Sequence, residues 1–206
     1  MSDTRKKEII MATLELTANK GLGNVSMNMI ADKIGIKKPS LYNHFASKEE
    51  LVETMYQFLR EEAKKKAERR AALLEINKLA AGYFYYQLRR ENGRQAHEYL
   101  TGRGLSEETI RKFGLGYSDK YSDDLYKYLK SKNYSDELLR DSGLFNVDER
   151  RGMYDKFWNR VIFPIMDVNN RVIGFGGRVM GDGKPKYLNS QETPLFHKSQ
   201  VLYGMD

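Results

Sequence analysis

Lys37, Lys38, Ser40, Tyr42, Asn43 and His44 concentrate cationic and hydrogen-bonding side chains just after Gly35. On a short helix, such side chains could enter a major groove and reach base edges and phosphates. A second set lies far along the chain. Lys156, Arg160, Arg171, Arg178, Lys184, Lys186 and Lys198 are interleaved with Trp158, Tyr187 and Asn189. Cations can follow a phosphate backbone while aromatic rings stack on bases, and this mixture suits single strands. Each set also has a plainer reading. Tyr42 and His44 fit simple packing roles, and the second set fits a solvated basic face on a layer of strands.

The elements that would hold these residues follow from spacing and caps. A first helix is expected over about Thr4–Asn19, with Ile9, Ile10, Thr13, Leu14 and Leu16 on its apolar face. Ser26 caps a second helix whose buried side is Met27, Met29, Ile30 and Ile34. Ala31 allows a close helix approach, and Gly35 allows a tight turn. Pro39 suits the first turn of a third helix, around Pro39–Phe45, with Leu41 and Phe45 facing inward. This order reads as a helix-turn-helix, whose second helix is the one that reads DNA. Ser47 and Glu50 form a capping box for a fourth helix.

From Lys48 to Ala81 there is neither glycine nor proline. The spacing admits one stiff helix or two abutting helices with a bend. Residues 73–92 keep a helical period, which Gly93 ends. Three short helices are then expected, opened by Ser106, Ser122 and Ser135, with Gly114 and Gly143 closing the first and third. Val161–Met166 and Arg171–Gly176 read as strands joined by a turn at Val168-Asn169-Asn170, and Lys186–Leu188 as a third strand. The glycines of IGFGGR lack the strand-to-helix setting of a phosphate loop, so they are read as strand positions with close backbone packing.

Composition bounds the possibilities. The chain has 206 residues, 40% hydrophobic and 31% charged, a globular composition. It contains no cysteine, which excludes disulfides, thiolate zinc sites and cysteine nucleophiles. The N-terminus lacks a signal-peptide core, and the longest apolar run, VIFPIM, is far too short to span a bilayer. A cytoplasmic protein with no membrane contact is expected. Residues 1–70 carry 14 basic and 10 acidic side chains, residues 71–149 carry 12 and 13, and residues 150–206 carry 9 and 5. Positive charge therefore sits at both ends, where it would attract polyanions.

The stretch IADKIGIKKPSLYNHFASKEEL closely resembles the TetR family of repressors over about residues 4–60. That resemblance implies Lys37, Lys38, Ser40 and Tyr42 as groove readers, and Ser26, His44 and Lys48 as phosphate contacts. Lys48 also lies at a helix N-terminus, where anions are favoured. The family's large helical domain, which binds an inducer and makes the dimer, has no counterpart in the following sequence. The resemblance therefore assigns neither an effector nor a homodimer.

From about Ile76 the chain resembles the bacterial replicative DNA primase of the DnaG type. The matching segments are INKLAAGYFYYQLR, QAHEYLTGRGLSEETIRKFGLGY, YDKFWNRVIFPIMDVNNRVIGFGGRV and KPKYLNSQETPLFHKSQVLYG. The resemblance implies the first subdomain of that enzyme's core, with Lys156, Arg160, Arg178, Lys186, Tyr187, Asn189 and Lys198 binding template and nucleotide. Trp158 stands where a basic residue is usual, Asn170 where glycine is, Gln191 where proline is, and Lys156 replaces arginine.

Primer synthesis needs divalent metal held by clustered carboxylates, Mg in a complete primase. Asp155, Asp167, Asp182, Glu192 and Asp206 are scattered, with no D-x-D pair. In the primase family those carboxylates belong to the Toprim fold, expected just beyond this sequence. No catalytic residue, metal ligand or bound cofactor is assigned, and autonomous catalysis is not expected. The sequence reads as α+β. Residues 1–62 form an all-α DNA-binding domain, 63–75 a helical junction, and 76–206 an α+β subdomain with a small antiparallel sheet. A DNA-binding module, a transcriptional regulator, and a primase part acting with a Toprim-containing chain all fit. So do a natural fusion, a truncation and a misassembled reading frame.

Overall fold

The computed structural model describes residues 2–197 and residue 199. The chain divides into two compact units, residues 1–67 and residues 68–206. The first is all helical and the second combines helices with antiparallel strands.

In the first unit, α1 (Ser2–Lys20) is followed by a 3-10 turn, α2 (Met27–Lys33) and α3 (Lys38–Tyr42). Ile9, Ile10, Ile30, Leu41, Phe45, Leu51 and Met55 form one buried cluster. The expected caps are present. Ser26 Oγ accepts the Met29 N–H at 3.3 Å and Ser47 Oγ accepts the Glu50 N–H at 3.1 Å. Glu50 closes the box one residue early, accepting from Ala46 N–H at 2.6 Å. Gly35 has φ +70°, which opens the turn between α2 and α3 at no steric cost.

Residues Lys48–Leu88 form a single 41-residue helix, α4, so the uninterrupted alternative holds. Favourable helix formers fill the segment expected as a junction, and nothing in it breaks the ladder. Beyond a 3-10 turn come α5 (Arg94–Gly102), α6 (Glu107–Lys112), β1 (Gly116–Ser118), α7 (Asp124–Lys130) and α8 (Asp136–Asp141). The strands β2 (Phe145–Asp148) and β3 (Gly152–Asp155) make a hairpin. The main sheet combines β1 with β4 (Arg160–Met166), β5 (Val172–Val179) and β6 (Tyr187–Asn189) in the order β1-β4-β5-β6, all antiparallel.

The sheet is covered on both faces. Ile162 and Phe175 pack with Leu73, Ile76, Ala80 and Phe84 of α4 and with Leu125 and Leu139. Val161, the neighbour of Ile162, instead joins Leu88, Leu100, Ile110 and Tyr117. Period-2 alternation in β4 thus feeds two separate clusters. Asn77 Nδ2 reaches from α4 to Val172 O at 3.2 Å. Arg69 binds Glu137 Oε1 at 2.9 Å and Asp141 Oδ2, tying α4 to α8.

Three expectations need correction. Ser122 does not cap α7. Asp123 occupies that position without a side-chain cap bond, and the helix's free N–H groups are met by Asp155 instead. Helix α5 was not expected, because it starts at Gly93 without a capping side chain. Strands β1, β2 and β3 are three or four residues long, too short for a period to show.

Gly116 marks the tightest approach of sheet to helix. A Cβ there would lie 2.6 Å from Phe84 Cβ and 2.7 Å from the Phe84 carbonyl carbon, which belongs to α4 and cannot give way. Gly116→Ala is expected to cost about 1–3 kcal/mol through overpacking. Urea titration checks this, and a variant as stable as the parent would show that β1 can retreat from α4.

Candidate nucleic-acid interfaces

Each unit holds one candidate surface. In the first, α3 presents Lys37, Lys38 and Tyr42 to solvent, while Ser40 and His44 are half-buried. Leu41 and Phe45 are fully buried, so the helix shows one face to the core and one outward. Lys38 Nζ stands 6.0 Å from the Tyr42 ring centroid, a cation–π distance. Lys48, at the start of α4, donates to Leu22 O at 3.3 Å. A shallow depression of about 330 Å3 is lined by Gly23 to Asn28 with Lys38, Tyr42 and Lys48. It brings Ser26, Lys38, Tyr42 and Lys48 around one concavity, while Lys37, Ser40 and His44 do not line it.

In the second unit the strand register decides which residues share a face. Arg178 of β5 pairs with Tyr187 of β6, and Gly176 pairs with Asn189. Arg178, Tyr187 and Asn189 therefore lie on the same side of the sheet. Tyr187 is 62% exposed on the edge strand. The Arg178 guanidinium stacks on Tyr99 of α5, with Cζ 4.3 Å from the ring centroid, and Nη1 donates to Val179 O at 2.6 Å. Arg178 Nε is buried with no hydrogen-bond partner. Sequence reasoning missed Tyr99, and its contact could be found only once α5 was placed.

The other expected residues are distributed differently. Lys186 is exposed on the β5–β6 loop and Lys156 is half-buried after β3. Arg160 is 5% exposed and donates from Nη1 to Gly177 O at 3.4 Å and Pro185 O at 2.9 Å. Burial lowers the pKa of its guanidinium from the usual value. Lys198 lies outside the described residues. Trp158 is exposed. The glycines of IGFGGR are strand residues in close contact, as expected. A Cβ on Gly177 would lie 2.8 Å from Phe157, and one on Gly174 3.2 Å from Phe196.

The carboxylates have structural partners. Asp155 is buried and accepts from Leu125 N–H at 2.8 Å and Tyr126 N–H at 2.9 Å, capping α7 from a distant strand. Asp167 accepts from the N–H groups of Asn169 and Arg171 and from Arg171 Nε, closing the β4–β5 turn. Among the described residues no three His, Asp or Glu side chains group as a metal site. No helix is long and apolar enough to cross a membrane among them either.

Residues 83–206 match the family described as DNA primase catalytic core, N-terminal domain. Residues 9–55 match the family described as bacterial regulatory proteins, tetR family. The first match spans more than half of the sequence, and the chain belongs to the primase-core family. A tetR-type helix-turn-helix precedes that domain in the same chain.

Over 142 residues the chain is 44% identical to the DNA primase of Clostridium acetobutylicum, covering 69% of this chain and 23% of that protein. Over 129 residues it is 50% identical to that of Pseudomonas putida, covering 61% and 20%. The chain thus spans between 20% and 23% of the length of these relatives. A solved DnaG primase catalytic domain bound to ssDNA aligns with a TM-score of 0.64 and 38% identity, covering 68% of this chain and 45% of that one. The RNA polymerase domain of Mycobacterium tuberculosis primase DnaG, in complex with a double-stranded DNA oligomer with a 6-nucleotide overhang, aligns with a TM-score of 0.61 and 35% identity, covering 64% and 41%.

The Asp155 cap carries a pH signature. Burial pushes its carboxyl up from 3.8 to about 7; the Leu125 and Tyr126 N–H groups oppose the rise, while Asp124 and Asp123 add to it. The folded chain then holds this proton more tightly than the unfolded chain. Its contribution to stability is complete below about pH 4 and is lost as pH rises through about 7. Urea titrations from pH 4 to 8 should show the parent losing more stability with rising pH than Asp155→Asn. Identical pH profiles would place the Asp155 pKa near its ordinary value.

Proposed function

We propose that the chain is a DNA-binding protein with two interfaces of different preference. The helix-turn-helix of residues 1–62 reads duplex through Lys37, Lys38, Ser40 and Tyr42, with Ser26, His44 and Lys48 on phosphates. The primase-core unit takes single-stranded template or nucleotide through Lys156, Arg178, Lys186, Tyr187 and Asn189, with Lys198 expected to extend the set; Arg160, expected in it too, is buried and bonded to backbone carbonyls. What supports this reading most is the sheet face shared by Arg178, Tyr187 and Asn189. It lies in a domain whose solved relative is bound to ssDNA. A cation and an exposed ring on one face provide charge for the backbone and a platform for a base.

Binding without autonomous primer synthesis is part of the proposal. Asp155 caps a helix and Asp167 closes a turn, so both are occupied by backbone. A Toprim-containing chain is the partner that would add metal-binding carboxylates, with Mg. The tetR-type segment favours a second reading, a transcriptional regulator located in the cytoplasm, in which the duplex interface governs.

Anisotropy titrations with labelled duplex and labelled single strand separate the two interfaces. Lys38→Ala should weaken duplex binding and lower the magnitude of its log-log salt slope by about 0.9, leaving single-strand binding unchanged. Tyr187→Ala should cost single-strand binding about 1–3 kcal/mol and leave duplex binding unchanged. Equal losses on both substrates in either variant would contradict the assignment of separate interfaces.

A further inference from the structure

Arg160 pairs with Val179 and so lies on the sheet face opposite Arg178 and Tyr187, away from the rest of the basic set. It is 5% exposed, so a strand lying on the surface could not form a bidentate contact with it. The aliphatic part of its side chain passes where Gly177 has no side chain. A Cβ on Gly177 would lie 3.0 Å from Arg160 Cδ. From there Nη1 reaches Gly177 O at 3.4 Å and Pro185 O at 2.9 Å. Pro185 belongs to the loop that leaves β5 at Val179 and returns as β6 at Tyr187. The loop is also closed by the bond from Val179 N–H to Lys186 O at 3.0 Å. It carries two exposed cations, Lys184 and Lys186, and opens directly into exposed Tyr187.

We propose that Arg160 is a positioning residue: it ties the Met180–Lys186 loop to β4 and so sets where Lys186 and Tyr187 stand for a single strand. The inference rests on the single-strand reading above. Gly177 is the enabling partner, since any side chain there would obstruct the path of the arginine. A direct phosphate contact and a tie differ in what salt does to them. Each phosphate contact to a single strand contributes about 0.7 to the log-log salt slope, because binding releases counterions. A tie through backbone carbonyls releases none.

The test uses the full chain, a fluorescein-labelled oligothymidylate and a salt series. Arg160→Met removes the donors and the charge but keeps the length. The expected result is about tenfold weaker binding, the scale of losing a hydrogen bond from a charged group, with an unchanged salt slope. Trypsin should also cut faster after Lys186, with the midpoint of global unfolding little changed. Lys186→Ala is the control and should reduce the slope by about 0.7. A slope reduced to the same extent in Arg160→Met would overturn the proposal and make Arg160 a direct contact.

If Arg160→Met fails to fold, the parent protein still decides. Under an arginine-selective dicarbonyl reagent, Arg160 should stay unmodified with or without the oligomer. Modification that the oligomer blocks would overturn the proposal. If instead Tyr187→Ala and Lys186→Ala leave single-strand binding unchanged, the interface reading fails. The trypsin rate at Lys186 reports on the tie in either case.

Discussion

Close contact between α4 and the sheet is the constraint on which the primase-core unit depends. Leu73, Ile76, Ala80 and Phe84 form its apolar stripe, and all four are buried. Leu73, Ile76 and Phe84 each contribute of the order of 1.5–3 kcal/mol when fully buried and Ala80 less, although ordering the chain offsets most of that sum. The stripe can seat only because β1 carries glycine where it meets Phe84. With β1 in place, β4, β5 and β6 follow in register, and the register sets Arg178, Tyr187 and Asn189 on one face. The candidate single-strand interface is thus a consequence of packing on the far side of the same sheet.

The two units present their exposed cations in different ways. The first offers a short helix with its apolar residues turned inward and lysines and a tyrosine turned outward, a shape that matches a groove. The second offers a strand edge and loop, where cations alternate with an exposed ring. Both lie in the segments with excess positive charge.

Local signals were legible in the sequence, and distant ones were not. Ser26, Gly35, Ser47, Ser106 and Ser135 act within a few residues, and each plays the structural part expected of it. The β4–β5 hairpin was equally legible, since Asn170 at φ +58° provides its turn. Helix α7 was misread at Ser122 because its true cap, Asp155, arrives from a strand far along the chain. The same applies to the site. Lys37, Lys38, Tyr42, Lys186 and Tyr187 are exposed as charge and spacing suggested. Arg160 is buried, because its partners are carbonyls on another strand and loop, which no spacing rule encodes.

The central claim is that one chain carries two DNA interfaces that work independently. Labelled single strand bound to the full chain, challenged with a saturating excess of unlabelled duplex, tests it most directly. Unchanged anisotropy, or a rise as duplex joins the complex, is the result expected of separate interfaces. Displacement of one single strand by each duplex bound would mean a shared site, and would contradict the account.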